Sequence, residues 1–127
     1  MYTDPVSDLL TRLRNAATAN HELVTVPYSK MKEEILKVMK RKGFIKDYAV
    51  EEEKGSHKTL SVSLHEYRTL NLKRISSPGQ RLYIRGKDIK GVKGVLGATI
   101  LSTSKGIMGA AEAKKLNIGG ELICEIY

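Results

Sequence analysis

Near the start of the chain, apolar side chains recur at intervals of three and four: Val6, Leu9, Leu10, Leu13 and Ala17. That spacing predicts one apolar stripe on a helix, with Arg12, Arg14 and Asn15 on its polar side. Asp4-Pro5 reads as its start, because Asp accepts orphan backbone N–H bonds and Pro fits the first helical position. The pattern fades near Asn20-His21, and Leu23 to Val26 predicts a short strand. Ser29 can cap a second helix, with Met31, Ile35, Val38 and Met39 on one face and Lys32, Lys37, Lys40 and Arg41 toward the other. Gly43 is a natural left-handed stop, Phe44 can fold back on the last turn, and Lys40, Arg41 and Lys42 suit the negative end of the helix dipole.

Strands are expected near residues 44–52 and 58–66, joined by a loop at Lys54-Gly55-Ser56. In the second of these, Leu60, Val62 and Leu64 alternate with Ser61, Ser63 and His65, a half-buried pattern. The first half therefore reads helix, strand, helix, strand, strand. The second half changes character near Tyr67 to Leu72. Ser77-Pro78-Gly79-Gln80 predicts a type II turn between strands at residues 72–76 and 81–84. Gly86, Gly91, Gly94 and Gly97 punctuate a loop carrying Lys87, Lys90 and Lys93. A strand from Leu96 to Leu101 precedes the polar run Ser102-Thr103-Ser104-Lys105-Gly106. Two turns of helix from Ala110 and a last strand from Leu122 to Ile126 complete the pattern. The expectation is an α+β protein of two small lobes: residues 1–67, α-β-α-β-β, and residues 68–127, mainly β with one short helix.

Charge sharpens this division. The 127 residues carry a net +8. Residues 1–66 hold 11 Lys/Arg against 10 Asp/Glu, whereas residues 67–127 hold 11 against 4, with most of the surplus between Arg68 and Lys105. Such segregation favours a docking face for a polyanion. The single cysteine, Cys124, excludes an internal disulfide and a multi-cysteine metal site. The opening residues lack a signal-peptide apolar region and no stretch approaches ~18 apolar residues, so a reducing cytosol is the expected setting.

Catalytic chemistry finds little support. Cys124 could pair with His21, His57 or His65 as nucleophile and base, but it lies in an alternating strand where Cys behaves as a small hydrophobe. The histidines lack ligand spacing, and Glu51-Glu52-Glu53 reads as a solvated hairpin tip; no metal or cofactor is expected. Ser104-Lys105-Gly106 has no upstream glycine at phosphate-loop distance. An enzyme acting on a phosphorylated substrate would also use a basic surface, but it needs a base or ligands converging on a pocket. A module binding an acidic protein would explain the charge without requiring the hydroxyls. DNA is disfavoured because the basic density lies on predicted strands and loops, and a membrane-surface helix is unsupported.

What remains is the hydroxyl run with Tyr83. Structured RNA is read through a shallow minor groove lined with 2′-hydroxyls and through unpaired bases. Short Ser and Thr side chains can approach that groove, Gly106 allows close backbone approach, Lys105 can meet a phosphate, and Tyr83, flanked by Arg81 and Arg85, can stack. A loop satisfying its own backbone would use the same hydroxyls, and Tyr83 would serve equally as an ordinary sheet residue.

Three ordered motifs, TDPVSDLLTRLRNA, SSPGQRLY and GATILSTSKGIM…AKKLNIGGELICEIY, resemble the bacterial small-subunit ribosomal protein eight family over nearly the whole chain. The resemblance implies a primary RNA-binding protein that docks on the central domain of small-subunit rRNA and helps organise the platform during assembly. It implies neighbouring small-subunit proteins as partners, and binding to its own operon's messenger RNA as a translational repressor. By the same resemblance, Ser102, Thr103, Ser104, Lys105 and Gly106 read the minor groove of an irregular helix, the motif tyrosine is Tyr83, and Glu121 lies beside the loop; Arg81 joins the candidate RNA-binding residues as a cation flanking Tyr83. Thr3, Pro5, Arg14, Ser29 and Lys30 meet a second RNA segment. One departure stands out. Where the family usually has Thr-Asp and a basic residue, this chain has Gly109-Ala110-Ala111, which removes charged groups beside the loop.

Overall fold

The computed structural model describes residues 4–53, 55, 57–66, 70–89 and 98–126. The fold is α+β and divides into two compact units, Pro5–Leu70 and a second comprising Asn71–Tyr127 with Met1–Asp4.

The first unit contains α1 (Pro5–Thr18), β1 (Leu23–Pro27), α2 (Lys30–Arg41), β2 (Asp47–Glu53) and β3 (His57–Ser63). The strands form an antiparallel sheet in the order β1-β3-β2. Val6, Leu9, Leu10, Leu13 and Ala16 of α1 and Ile35, Leu36, Val38 and Met39 of α2 are buried, with Val26, Leu60 and Val62 from the sheet. Each helix thus turns one stripe inward, but the last buried position of α1 is Ala16 and not the expected Ala17, which is half-buried. Asn20 adopts a left-handed conformation just beyond α1. At the end of α2, Gly43 has φ +81°, and the Phe44 amide donates back to the Met39 carbonyl at 2.9 Å while the ring is buried. The expected αL stop is present.

One assignment on α2 is reversed. Lys32 is buried and Met31 is exposed. Lys32 lies three and four residues before Ile35 and Leu36, so it shares their face. Its aliphatic stem packs inward while Nζ donates to the Pro27 carbonyl at 3.1 Å.

The second unit contains β4 (Leu72–Arg74), β5 (Tyr83–Ile84), one 3₁₀ turn (Gly86–Asp88), β6 (Ala98–Thr103), β7 (Gly106–Gly109), α3 (Ala110–Leu116) and β8 (Gly120–Ile126). The final strand, β8, is central: β4 and β5 pair with its two ends, β6 lies along its other side, and β7 pairs with β6. On one sheet face α3 and the 3₁₀ segment enclose Ile89, Leu101, Met108, Ala110 and Ala113, with Leu122 packed against them. A register shift between Ile100 and Leu101 leaves Ile123 opposite no single partner. This bulge explains why the consecutive residues Ile123 and Cys124 are both fully buried, where alternation placed only Leu122, Cys124 and Ile126 inward.

The Pro78-Gly79 turn is closed by reciprocal 3.0 Å bonds between Ser77 and Gln80. Gly79 is not among the glycines with positive φ, so the turn is not type II. The strands it joins do not pair with each other; both pair with β8. Lys90, Gly91, Lys93, Gly94, Leu96, Gly97, Arg68 and Thr3, all named above, lie outside the described residues.

Candidate nucleic-acid interface

The polar run is not a strand-to-helix loop. Ser102 and Thr103 end β6, Gly106 begins β7, and only Ser104 and Lys105 form the connection, with Thr103 opposite Gly106 and Ser102 opposite Ile107. Neither Ser104 nor Lys105 has positive φ, whereas Gly106 has φ +112°. The turn is therefore unprimed, and glycine supplies the left-handed residue that returns the chain into β7. The Thr103 hydroxyl donates to the Gly106 carbonyl at 2.7 Å and accepts from the Lys105 amide at 3.2 Å. Thr103 thus braces the turn from within. Ser104 and Lys105 are exposed at its tip.

The sheet register builds the rest of the face. Ser102 stands opposite Glu121, and Glu121 stands opposite Tyr83. Directly opposed residues point to the same side of a sheet. Tyr83, Glu121 and Ser102 therefore lie abreast across β5, β8 and β6, on the side away from Leu101 and Leu122. Two strand spacings, about 10 Å, span the row. Tyr83 is 68% exposed. Both Glu121 oxygens accept from Arg81 Nη1, at 3.2 and 3.4 Å, and the Glu121 side chain is far more buried than that of Arg81. A carboxylate below and a guanidinium above present the cation outward and neutralise the acid.

Two features that sequence reasoning passed over hold this row together. Gly119 and Gly120 occur where β8 is squeezed between its neighbours: an added β-carbon would lie 2.1 Å from the Ile84 carbonyl at Gly119 and 2.1 Å from the Ser102 carbonyl at Gly120. The paired glycines were the available signal. Ser76 is fully buried, and its hydroxyl accepts from the Leu82 amide at 2.8 Å. It thereby fixes the chain entering β5.

The remaining sequence-predicted residues fall on the first unit. Pro5 and Arg14 are both exposed on α1, but nine residues rotate them to opposite sides of the helix. Ser29 accepts from the Lys32 amide at 3.1 Å, so its hydroxyl caps α2, and Lys30 is exposed beside it. Gly109 occupies the N-cap of α3 without a side-chain bond, as its missing hydroxyl requires.

Elsewhere the chemistry is bland. A groove of ≈ 830 Å³ at one end of the β1-β3-β2 sheet is lined by Glu22, Lys46, Asp47, His65 and Glu66, among others. A hydrogen bond between the Glu22 and Glu66 carboxyls raises the Glu66 pKa. Burial pushes the Cys124 thiol up to about 12, which makes it a poor nucleophile. Among the described residues there is no group of three or more His, Cys, Asp or Glu side chains placed to hold a metal. No described helix is long and apolar enough to cross a membrane.

A two-unit α+β chain with this row and hairpin tip matches a family of ribosomal proteins along its described length. The family is ribosomal protein S8, whose model matches residues 4–127, and the chain belongs to it. It is similar to the small ribosomal subunit protein uS8 of Chloroflexus aurantiacus, 44% identical over 129 residues covering 98% of this chain and 97% of the relative. It is also similar to the uS8 proteins of Nitratidesulfovibrio vulgaris, 47% identical with full coverage of both chains, and Rubrobacter xylanophilus, 43% identical with 98% and 97% covered. The chain is a ribosomal protein and not an enzyme.

Proposed function

We propose that this structural constituent of the small ribosomal subunit binds the central domain of small-subunit rRNA directly, as a primary-binding protein, and helps to organise the platform during assembly. The observation that carries the reading is the placement of Tyr83, Glu121 and Ser102 abreast on adjacent strands, next to Ser104 and Lys105 at a braced hairpin tip. A flat row of short polar groups suits the wide minor groove, which a sheet face can approach without a penetrating helix. Tyr83 offers a stacking platform for an unpaired base, and Lys105 and Arg81 offer phosphate contacts.

Residues 68–127 form the main RNA-binding domain in this reading, and residues 1–67 add a weaker contact. Its residues are Thr3, Pro5, Arg14, Ser29 and Lys30, with Arg14 and Lys30 supplying the charge. The messenger of its own operon binds the same face when it reproduces the irregular helix, which gives translational repression, and neighbouring small-subunit proteins cover other surfaces.

The test compares two RNAs of equal length in a gel-shift assay: a bulged fragment of the rRNA central domain and a fully paired helix. Strong preference for the bulged fragment is expected. Equal affinity for both would leave only electrostatic attraction and overturn the reading.

A further inference from the structure

We propose that Ile107 extends the row of Tyr83, Glu121 and Ser102 to a fourth strand and makes it selective for adenine, by excluding the 2-amino group of guanine from the minor groove. The inference rests on the rRNA-binding reading above and names the base chemistry that this face accepts.

The strand register places Ile107. It stands opposite Ser102 across β6 and β7, as Ser102 stands opposite Glu121 across β6 and β8. Opposed residues share a side of the sheet, and one strand spacing is about 5 Å. The next residue along β7, Met108, fixes the direction: it stands opposite Leu101 and packs with it in the cluster beneath α3. Ile107 therefore turns away from that cluster, toward the side that carries the row, where it is half-buried.

This is an unusual place for an aliphatic side chain. β7 ends the strand order of its sheet, and edge strands ordinarily carry charge that discourages other chains from pairing. The other three members of the row are polar. β7 reads Gly-Ile-Met-Gly, so Ile107 is the one side chain that this strand gives to the face. An aliphatic group there gains most when a partner covers it.

The partner's chemistry follows from what a minor groove displays. An adenine pair shows acceptors only, whereas guanine adds a 2-amino donor. The A-form minor groove is shallow enough for a sheet face to reach these base edges. Adenine carries C2–H where guanine carries the amine, and isoleucine packs against C2–H at no cost in hydrogen bonds. Against the amine it leaves a desolvated donor without an acceptor, a loss of about tenfold in affinity. The Glu121 carboxylate offers no remedy, because it lies two strands away and accepts from Arg81.

The test uses the full-length chain and the bulged central-domain fragment, prepared as a series in which 2,6-diaminopurine replaces one adenosine at a time. Each replacement adds a minor-groove amine and leaves every phosphate in place. At one position the unsubstituted chain should bind about tenfold more weakly. Ile107→Thr keeps the β-branch that suits a strand and offers an oxygen to the amine, so it should remove most of that penalty. Ile107→Val, still aliphatic, should retain it. All three chains should share one slope of log affinity against log salt, and thermal melts establish that the variants fold. If no position weakens binding by the unsubstituted chain, the inference is overturned without recourse to a variant. It is equally overturned if folded Ile107→Thr keeps the full penalty at every such position. Failure of the unsubstituted chain to prefer the unmodified bulged fragment over a paired helix would sink the functional reading instead, so the two failures are distinct.

Discussion

Gly120 and Ser102 meet backbone to backbone: a β-carbon on Gly120 would stand 2.1 Å from the Ser102 carbonyl oxygen. No L side chain fits there without moving a strand. Gly120→Ala should therefore strain the β6–β8 pairing by about 1–3 kcal/mol, the usual cost of overpacking. It should also displace Ser102 from the row it shares with Glu121 and Tyr83. A lowered thermal midpoint together with weakened binding to a bulged rRNA fragment is expected. An unchanged midpoint would show that the strands part at little cost.

At the hairpin tip, grip and choice should separate. Lys105→Ala is expected to reduce the slope of log affinity against log salt by roughly one, because one phosphate contact is lost. Ser104→Ala should cost on the order of 1–3 kcal/mol of specific binding with little change in slope, since groups on the RNA are left unpaired. Salt titrations of both variants against the same fragment check this; equal slope changes would contradict it.

Thr103 should behave unlike either neighbour. Its hydroxyl spends both bonds inside the turn, on the Gly106 carbonyl and the Lys105 amide. Thr103→Val keeps the shape and removes those bonds, so about 1–2 kcal/mol of stability should go. Hydrogen exchange at the Lys105 amide should rise, and affinity should drop through loosening of the tip. A variant with native exchange but poor binding would instead point to direct contact with RNA.

The buried thiol gives a pH signature. Cys124 has a folded-state pKa of about 12 against an ordinary 9.0, caused first by burial and opposed by the nearby Arg74 charge. Below pH 9 the thiol is neutral in both states and stability is unaffected. Between 9 and 12 the unfolded chain releases a proton that the folded chain retains. Stability should then fall by up to about 1.4 kcal/mol per pH unit. Denaturant titrations of the wild type and Cys124→Ala across that range should differ in slope. Identical slopes would place the titration elsewhere.

Much of the architecture could be read from spacing alone. The apolar stripe of α1, the Gly43-Phe44 stop and the short α3 follow from side-chain period and backbone preference, which are local. What escaped detection depended on partners distant in sequence. Lys32 reads as a surface cation until the Pro27 carbonyl supplies an acceptor for it. Ile123 breaks the alternation because β8 bulges against β6. Ser102 and Thr103 read as loop because nothing local reveals that β7 turns back immediately. For the candidate interface, the residue types were visible in the motifs, but their order across the sheet was not. The register that sets Tyr83 beside Glu121, and Glu121 beside Ser102, exists only once strands far apart in the chain have paired.

That dependence has a consequence for biosynthesis. A nascent chain stalled before residue 120 already contains the hydroxyl hairpin and the tyrosine, yet lacks the strand on which β4, β5 and β6 assemble. Unfinished polypeptides thereby lack the proposed recognition surface, and if that surface is what docks on RNA, a nascent ribosome would not incorporate aborted copies through it.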